Sequence, residues 1–309
     1  MTTSEMRMNI RNAAGTPPRP TAARAVRGRL AAVFACLFAL GAVLAVTPAE
    51  AAKGDVTRLE VTYAIVIKGL TIGRAKAEMR FADNNYVSAV DGAVTGLARL
   101  FSDATAKLAG SGHIQGSRIV PDSFDSITVE GKYESRVRMA MRGGAITELT
   151  AEPPSRDAPD RIPVTPSHKR NIVDPLSAFL VALGKPGKPT GPEACNRTIK
   201  VFDGWSRYDI QLTYKDTKQV GKPDKPGDDY NGDVFVCAAR YVPVSGHRQN
   251  AKSVKDMEDN KNLEAWLAPI GETGMLVPYK FIIGTSAGDL TLRSTRFVVS
   301  QEDRRASAK

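Results

Sequence analysis

A curved, mainly antiparallel β-sheet is the fold class this sequence predicts: an open barrel or β-spiral of about thirteen strands, with one helix packed on its concave side. Three observations carry the prediction. Apolar residues recur with period two along most of the chain after Asp55, the spacing of half-buried strands. Turn-forming Gly, Asn, Asp and Pro residues separate these runs at short intervals, as in strand meanders. Convincing helical periodicity is confined to residues 175–183, and so few helices between strands argue against a parallel sheet.

The elements follow in order. Leu59, Val61, Tyr63, Ile65 and Ile67 form one face of the first strand, and Gly69 ends it. Leu70 opens a return strand to Phe81, Asp83-Asn84-Asn85 turns the chain, and the next strand runs from Tyr86 to Thr95. Gly96–Phe101 reads either as a short helix or as a strand continuing past a kink. Ala106–Ile114, Ser123–Glu130, Tyr133–Met141 and Ile146–Ala151 are further strands, with Pro121-Asp122 and Arg142-Gly143-Gly144 as turns. Residues 152–170 are proline-rich and poor in apolar side chains, an extended surface loop.

Asp174-Pro175 has the form of a helix start, with Asp174 as the cap and Pro175 in the first turn. Leu176, Phe179, Leu180 and Leu183 then lie on one face at i, i+3, i+4 and i+7, and Gly184 ends the helix. That face is the candidate wall of a cleft. Strands are expected again at Ile199–Phe202, Arg207–Tyr214, Val234–Tyr241, Leu263–Ala268, Leu276–Ile283 and Leu290–Val299. Lys215–Asp229 reads as a long hairpin tip and Val254–Lys261 as a helical turn.

The first 51 residues read as a cleaved signal peptide. Arg24, Arg27 and Arg29 precede the apolar run Leu30–Val46, and Pro48 and Ala49-Glu50-Ala51 supply a cleavage pattern. A retained anchor is the competing reading, but seventeen apolar residues are at the short limit for a span. Cys36 lies within the run, with Phe34 where a lipidation signal favours a small residue. The expected organisation is therefore a leader over 1–51, one β-rich periplasmic domain over 52–300 and a disordered tail over 301–309, with no integral membrane span once the leader is removed.

Without the leader the chain holds 37 basic and 31 acidic side chains, net about +6. The charges are interspersed, with no arginine-rich stripe, so nucleic acid is not the expected partner. Only Cys195 and Cys237 remain, and in an exported domain they read as one disulfide. His113, His168 and His247 are far apart and lack ligand spacing, so no metal is expected. No cofactor motif is present: neither a phosphate-binding loop nor a strand–GxGxxG–helix unit occurs. A nucleophile elbow is also absent, although a hydrolase site assembled from dispersed residues leaves no sequence signature. Val201–Asp209 has two readings: a polar site of Asp203, Trp205, Arg207 and Asp209, or a hairpin turning at Asp203-Gly204.

The stretches YAIVIKGLTIGRAKAEMRF, RIVPDSFDSITVEGKYESRVRM, DPLSAFLVAL, VFDGWSRYDIQLTY, LEAWLAP and LVPYKFIIGTSAGDLTLRSTRF occur in this order across most of residues 56–299. Together they resemble the domain of unknown function 3108 family of bacterial envelope proteins. The architecture is also similar to that of the β-spiral envelope-integrity proteins. The resemblance implies a partly open antiparallel barrel with a helix across its opening, and no enzymatic role. The expected function is thus non-enzymatic: envelope homeostasis in the periplasm, with an acyl chain or lipoprotein segment held in the cleft. Its partner is an envelope lipid or an envelope protein. The alternatives are a strand-edge interaction module and a dispersed-site hydrolase.

Overall fold

The computed structural model describes residues 56–302, apart from 101, 186, 188 and 222–229. The expected leader, residues 1–51, therefore lies outside the described residues. Seven strands come first: β1 (Val56–Ile67), β2 (Leu70–Ala82), β3 (Asn85–Val94), β4 (Thr105–Gln115), β5 (Arg118–Glu130), β6 (Tyr133–Arg142) and β7 (Ala145–Glu152). Each pairs antiparallel with the one before it. The two-residue turns Lys68-Gly69, Asp83-Asn84 and Gly143-Gly144 have positive φ at both positions. That backbone matches the right-handed twist of the flanking strands.

The chain then forms a short β8 (Val181–Ala182), helix α1 (Gly191–Cys195), β9 (Arg197–Phe202), β10 (Arg207–Val220), β11 (Gly232–Ser245), helix α2 (Lys252–Glu258), β12 (Leu263–Pro269), β13 (Met275–Ile283) and β14 (Leu290–Glu302). The last strand returns to the first, with register from Val56↔Glu302 to Ile67↔Leu290. The sheet thus runs β7-β6-β5-β4-β3-β2-β1-β14-β13-β12-β11-β10-β9. Register shifts in β1, β4, β6, β10 and β12 add local twist, which curls the sheet toward a barrel.

The barrel stays open, because the edge strands β7 and β9 do not pair. The connector between them stitches the gap near one place. Ala145 bridges Arg170, and Ile172 N donates to Gly144 O at 3.3 Å. Val173 N donates to Lys200 O at 2.8 Å, and Phe202 N donates to Val173 O at 3.0 Å. Phe124, Val137, Met139, Ile172, Leu176 and Phe202 form a buried cluster across this seam.

The mainly β, open-barrel expectation holds, with fourteen strands in place of about thirteen. The expected helix at Pro175–Leu183 does not form. Asp174 does cap a turn: its Oδ1 accepts from Leu176 N and Ser177 N, both at 2.9 Å. A single 3-10 turn follows at Ser177–Phe179, and then Leu180 becomes extended. The β13 strand explains the switch. It pairs with β14 only through Lys280–Ile283, leaving Met275 and Leu276 open on that side. Val181 and Ala182 pair with them instead, and those tertiary bonds outweigh the weak propensity of a short helix.

The four face residues consequently separate. Leu176 joins the seam cluster. Leu180 packs in the cluster around Leu59, Tyr63 and Val277, and Leu183 lies against the cluster around the cysteines. Phe179 is 40% exposed.

Smaller differences have similar causes. Pro121-Asp122 is not a turn but part of β5, and Pro121 sits at the register shift beside Gly112, where a missing N–H is tolerated. Lys215–Val220 extends β10 rather than opening a hairpin tip. Gln301 and Glu302 pair with Thr57 and Val56, so the last strand enters the expected tail. Gly96–Leu100 is a 3-10 turn. Helix α1 was not anticipated, although its capping box of Thr190 and Glu193 is visible as T-x-x-E.

Candidate functional site

Period-two alternation in five neighbouring strands places one side chain in two toward the concave face. Ile199 and Val201 of β9, Tyr208, Ile210 and Leu212 of β10, and Ala239 and Tyr241 of β11 point into a common cavity. Leu263, Ala265 and Leu267 of β12 and Phe281 of β13 complete that wall. Pro175, Ala178, Phe179 and Val181 from the connector and Met257 from α2 cover it. The cavity measures about 300 Å³, the lower end of the range for small-molecule sites. Its existence has a local cause: Ala239 and Ala265 are small at inward positions, and one 3-10 turn supplies less bulk than a helix.

Phe179 meets Phe281 edge to face, with centroids 6.3 Å apart. The only side-chain polar atoms of the lining are the hydroxyls of Tyr208 and Tyr241. Their rings lie 5.1 Å apart. Burial raises both phenols above the usual tyrosine range, and the Asp203 charge adds to the effect. Among the described residues neither hydroxyl has a hydrogen-bond partner. Chemically, the site is an apolar slot with two neutral donors.

A second polar feature lies behind the connector. Ser177 Oγ donates to Asp174 Oδ2, and Tyr86 Oη lies 2.7 Å from Ser177 Oγ. Asp174 and Ser177 are fully buried, and burial raises the Asp174 carboxyl above the usual carboxylate range despite these bonds. No histidine belongs to this network: His113 contacts Asp122, and His168 bonds within its own turn at Thr165. The arrangement anchors the connector to β3.

Asp203, Trp205, Arg207 and Asp209 lie outside the apolar cavity. Asp203 Oδ1 accepts from Trp205 N at 2.9 Å and Ser206 N at 2.6 Å, and Asp203 N donates to Ser206 O at 3.1 Å. Gly204 supplies the positive φ of 105°. A Cβ there would come within 2.8 Å of Val137. Trp205 Nε1 donates to Pro153 O at 3.0 Å, fastening the hairpin to the chain leaving β7. Arg207 pairs with Asp209 at 2.5 Å. The geometry is that of the hairpin reading, used as a latch across the seam.

Cys195 and Cys237 are bonded, with Cα atoms 5.4 Å apart, and tie α1 to the concave face of β11, in the same buried cluster as the lining residues Ala239 and Ala265. Among the described residues no group of three or more His, Cys, Asp or Glu is placed to hold a metal ion. No helix among them is long and apolar enough to cross a membrane. Of the candidate site residues named from the sequence, Phe179 alone lines the cavity. Tyr208, Tyr241, Ala239, Ala265 and Met257 were missed. The available signal was alanine at inward strand positions between large apolar residues, which marks a core that its strands do not fill.

Fold and site together define an open, barrel-like antiparallel sheet with an apolar cavity beneath a connector. The family described as "Protein of unknown function (DUF3108)" matches residues 58–295, and the chain belongs to that family. Among solved structures, the chain is similar to a beta-barrel-like protein of domain of unknown function DUF1849 from Brucella abortus. The identity is 10% and the TM-score 0.45, over 80% of this chain and 98% of that chain. No curated protein matches the chain.

Proposed function

We propose that this protein is a non-enzymatic binding protein of the bacterial envelope that holds an apolar ligand, an acyl chain or a lipoprotein segment, in the cavity under Phe179. The observation that carries the reading is the roughly 300 Å³ apolar slot with paired tyrosine hydroxyls. Apolar lining with a few placed donors is the general form of a ligand site. The leader sequence and the Cys195–Cys237 disulfide support a periplasmic location, since disulfides persist in oxidising compartments.

The test is a solvent extract of the purified protein, read by mass spectrometry, beside the cavity-filling variant Ala239→Leu. The reading requires acyl species in the wild type and their loss from the folded variant. Equal, background-level lipid in both would overturn it in favour of a strand-edge interaction module. One observation favours that second reading: beyond Ala145, β7 has no ladder partner on its outer side among the described residues, and an open edge can accept a strand.

A further inference from the structure

A second depression, about 580 Å³, lies beside the seam between the β4–β5 turn, the connector and the outer edge of β9. Its charged lining residues are Arg118, Arg197 and Lys200, with no Asp or Glu among the lining residues. Arg118 and Lys200 are exposed, and neither has a carboxylate partner among the described residues. Arg197 is half-buried and binds only carbonyls: Nη1 donates to Ala182 O at 3.1 Å and Nη2 to Glu193 O at 2.5 Å. Its Nε is buried with no partner. Burial lowers its pKa, with no carboxylate to offset the effect. A guanidinium in such a setting is stabilised by an anion.

The backbone adds donors. Lys200 O and Phe202 N face the connector. Alternation along β9 therefore turns the N–H groups of Thr198 and Lys200 to the same outer side. The groove and the apolar cavity share a wall. Ile199 lines both, and the connector directs Ser177 and Leu180 to the groove and Phe179 and Val181 to the cavity.

We propose that this groove binds the oxyanion headgroup, phosphate or carboxylate, of an amphiphile whose chain occupies the apolar cavity. The assignment of the chain rests on the function proposed above; the assignment of the headgroup rests on the groove itself. Arg118, Lys200 and the β9 edge supply charge and directed donors. Arg197 supplies fixed positive charge behind them while holding β8 and α1 together.

The experiment is calorimetric titration of residues 52–309, which contain the three hydrophobic clusters and the disulfide and fall within one compact unit. The probes are inorganic phosphate, dodecyl phosphate and dodecanol, each titrated into wild type, Arg118→Gln/Lys200→Gln and Ala239→Leu. Arg197 is left in place because its loss would disturb α1. The proposal requires dodecyl phosphate to bind more tightly than either fragment, and to weaken about 10- to 100-fold in the double variant, the usual loss for charged hydrogen bonds. Dodecanol binding should not change in that variant, and its unfolding midpoint should match the wild type. Unchanged dodecyl phosphate affinity in the double variant overturns the headgroup site and leaves the apolar site standing. Phosphate binding as tightly as dodecyl phosphate makes the groove a free-anion site and overturns the link to an amphiphile. Phosphate binding without dodecanol or dodecyl phosphate binding rejects the apolar reading itself.

Discussion

The two arms of the sheet, β1–β7 and β9–β14, meet at the β1–β14 pairing and are built differently. In the first arm mostly tight turns join strands that pair in sequence order, and large residues such as Leu59, Met79, Phe81, Tyr86 and Phe124 fill the concave side. In the second arm the connections carry α1 and α2, a disulfide fastens α1 to the concave side of β11, and two alanines leave room for a cavity. The contrast teaches that local turns suffice to order a meander whose own side chains fill its core. An arm that keeps space open needs support from elsewhere, here a covalent bond and a connector threaded through the seam.

The largest effect should come from removing that covalent support. Cys195 and Cys237 are 42 positions apart, and on the chain-entropy model such a bond contributes about 4 kcal/mol. Urea unfolding of Cys195→Ser/Cys237→Ser should show a loss of that order. Hydrogen exchange should accelerate first in β9–β11. Equal acceleration in β1–β7 would break the distinction between the arms.

Next is Leu176→Ala. Leu176 is 2% exposed in the seam cluster, so its truncation should cost about 2–5 kcal/mol by the same measurement. A loss under about 1 kcal/mol would mean that the seam relaxes freely and the arms are not coupled there.

A pH series on Asp174→Asn sharpens the role of the connector. Burial raises the Asp174 pKa, so the folded state holds this proton more tightly than the unfolded state. The resulting stabilisation is fully present below the unfolded carboxyl pKa of about 3.9 and is lost as pH rises through the raised folded value. The wild type should therefore lose stability relative to Asp174→Asn over that interval. A stability difference independent of pH would refute this account.

Phe179→Ala should have the smallest effect, about 1 kcal/mol or less. Its ring is 40% exposed and borders a space that is already open, so little apolar contact is lost. A cost like that of Leu176→Ala would show the cavity to be closed and the second arm to be packed like the first.

Much of this comparison was legible in the sequence. Leu59, Val61 and Tyr63 alternate with polar neighbours and are buried as the pattern requires, and Asp83-Asn84 turns where its composition places a turn. The disulfide followed from the cysteine count together with the expectation of export. What failed was the stretch from Leu176 to Leu183, whose helical spacing was real. The fate of Val181-Ala182 depended on the free edge of Met275-Leu276, almost a hundred positions away, and periodicity within a segment carries no information about a distant vacant edge. The cavity was hidden for a related reason. Ala239 and Ala265 declare a gap only once β11 and β12 are known to be neighbours facing Phe179.

The pairing of the first strand with the last has a consequence for how the chain comes to fold. Val56 finds Glu302 only when all the intervening chain exists. Closing so long a loop is costly in entropy and slow in rate. The first arm can assemble from local turns as its residues become available, but one side of β1 then stays unpaired until β14 arrives. During that interval the growing sheet is open at both margins, a condition that favours strand addition by other chains. The last of the described strands in chain order therefore seals the middle of the sheet, and a chain truncated before Leu290 would be left with an edge at its centre.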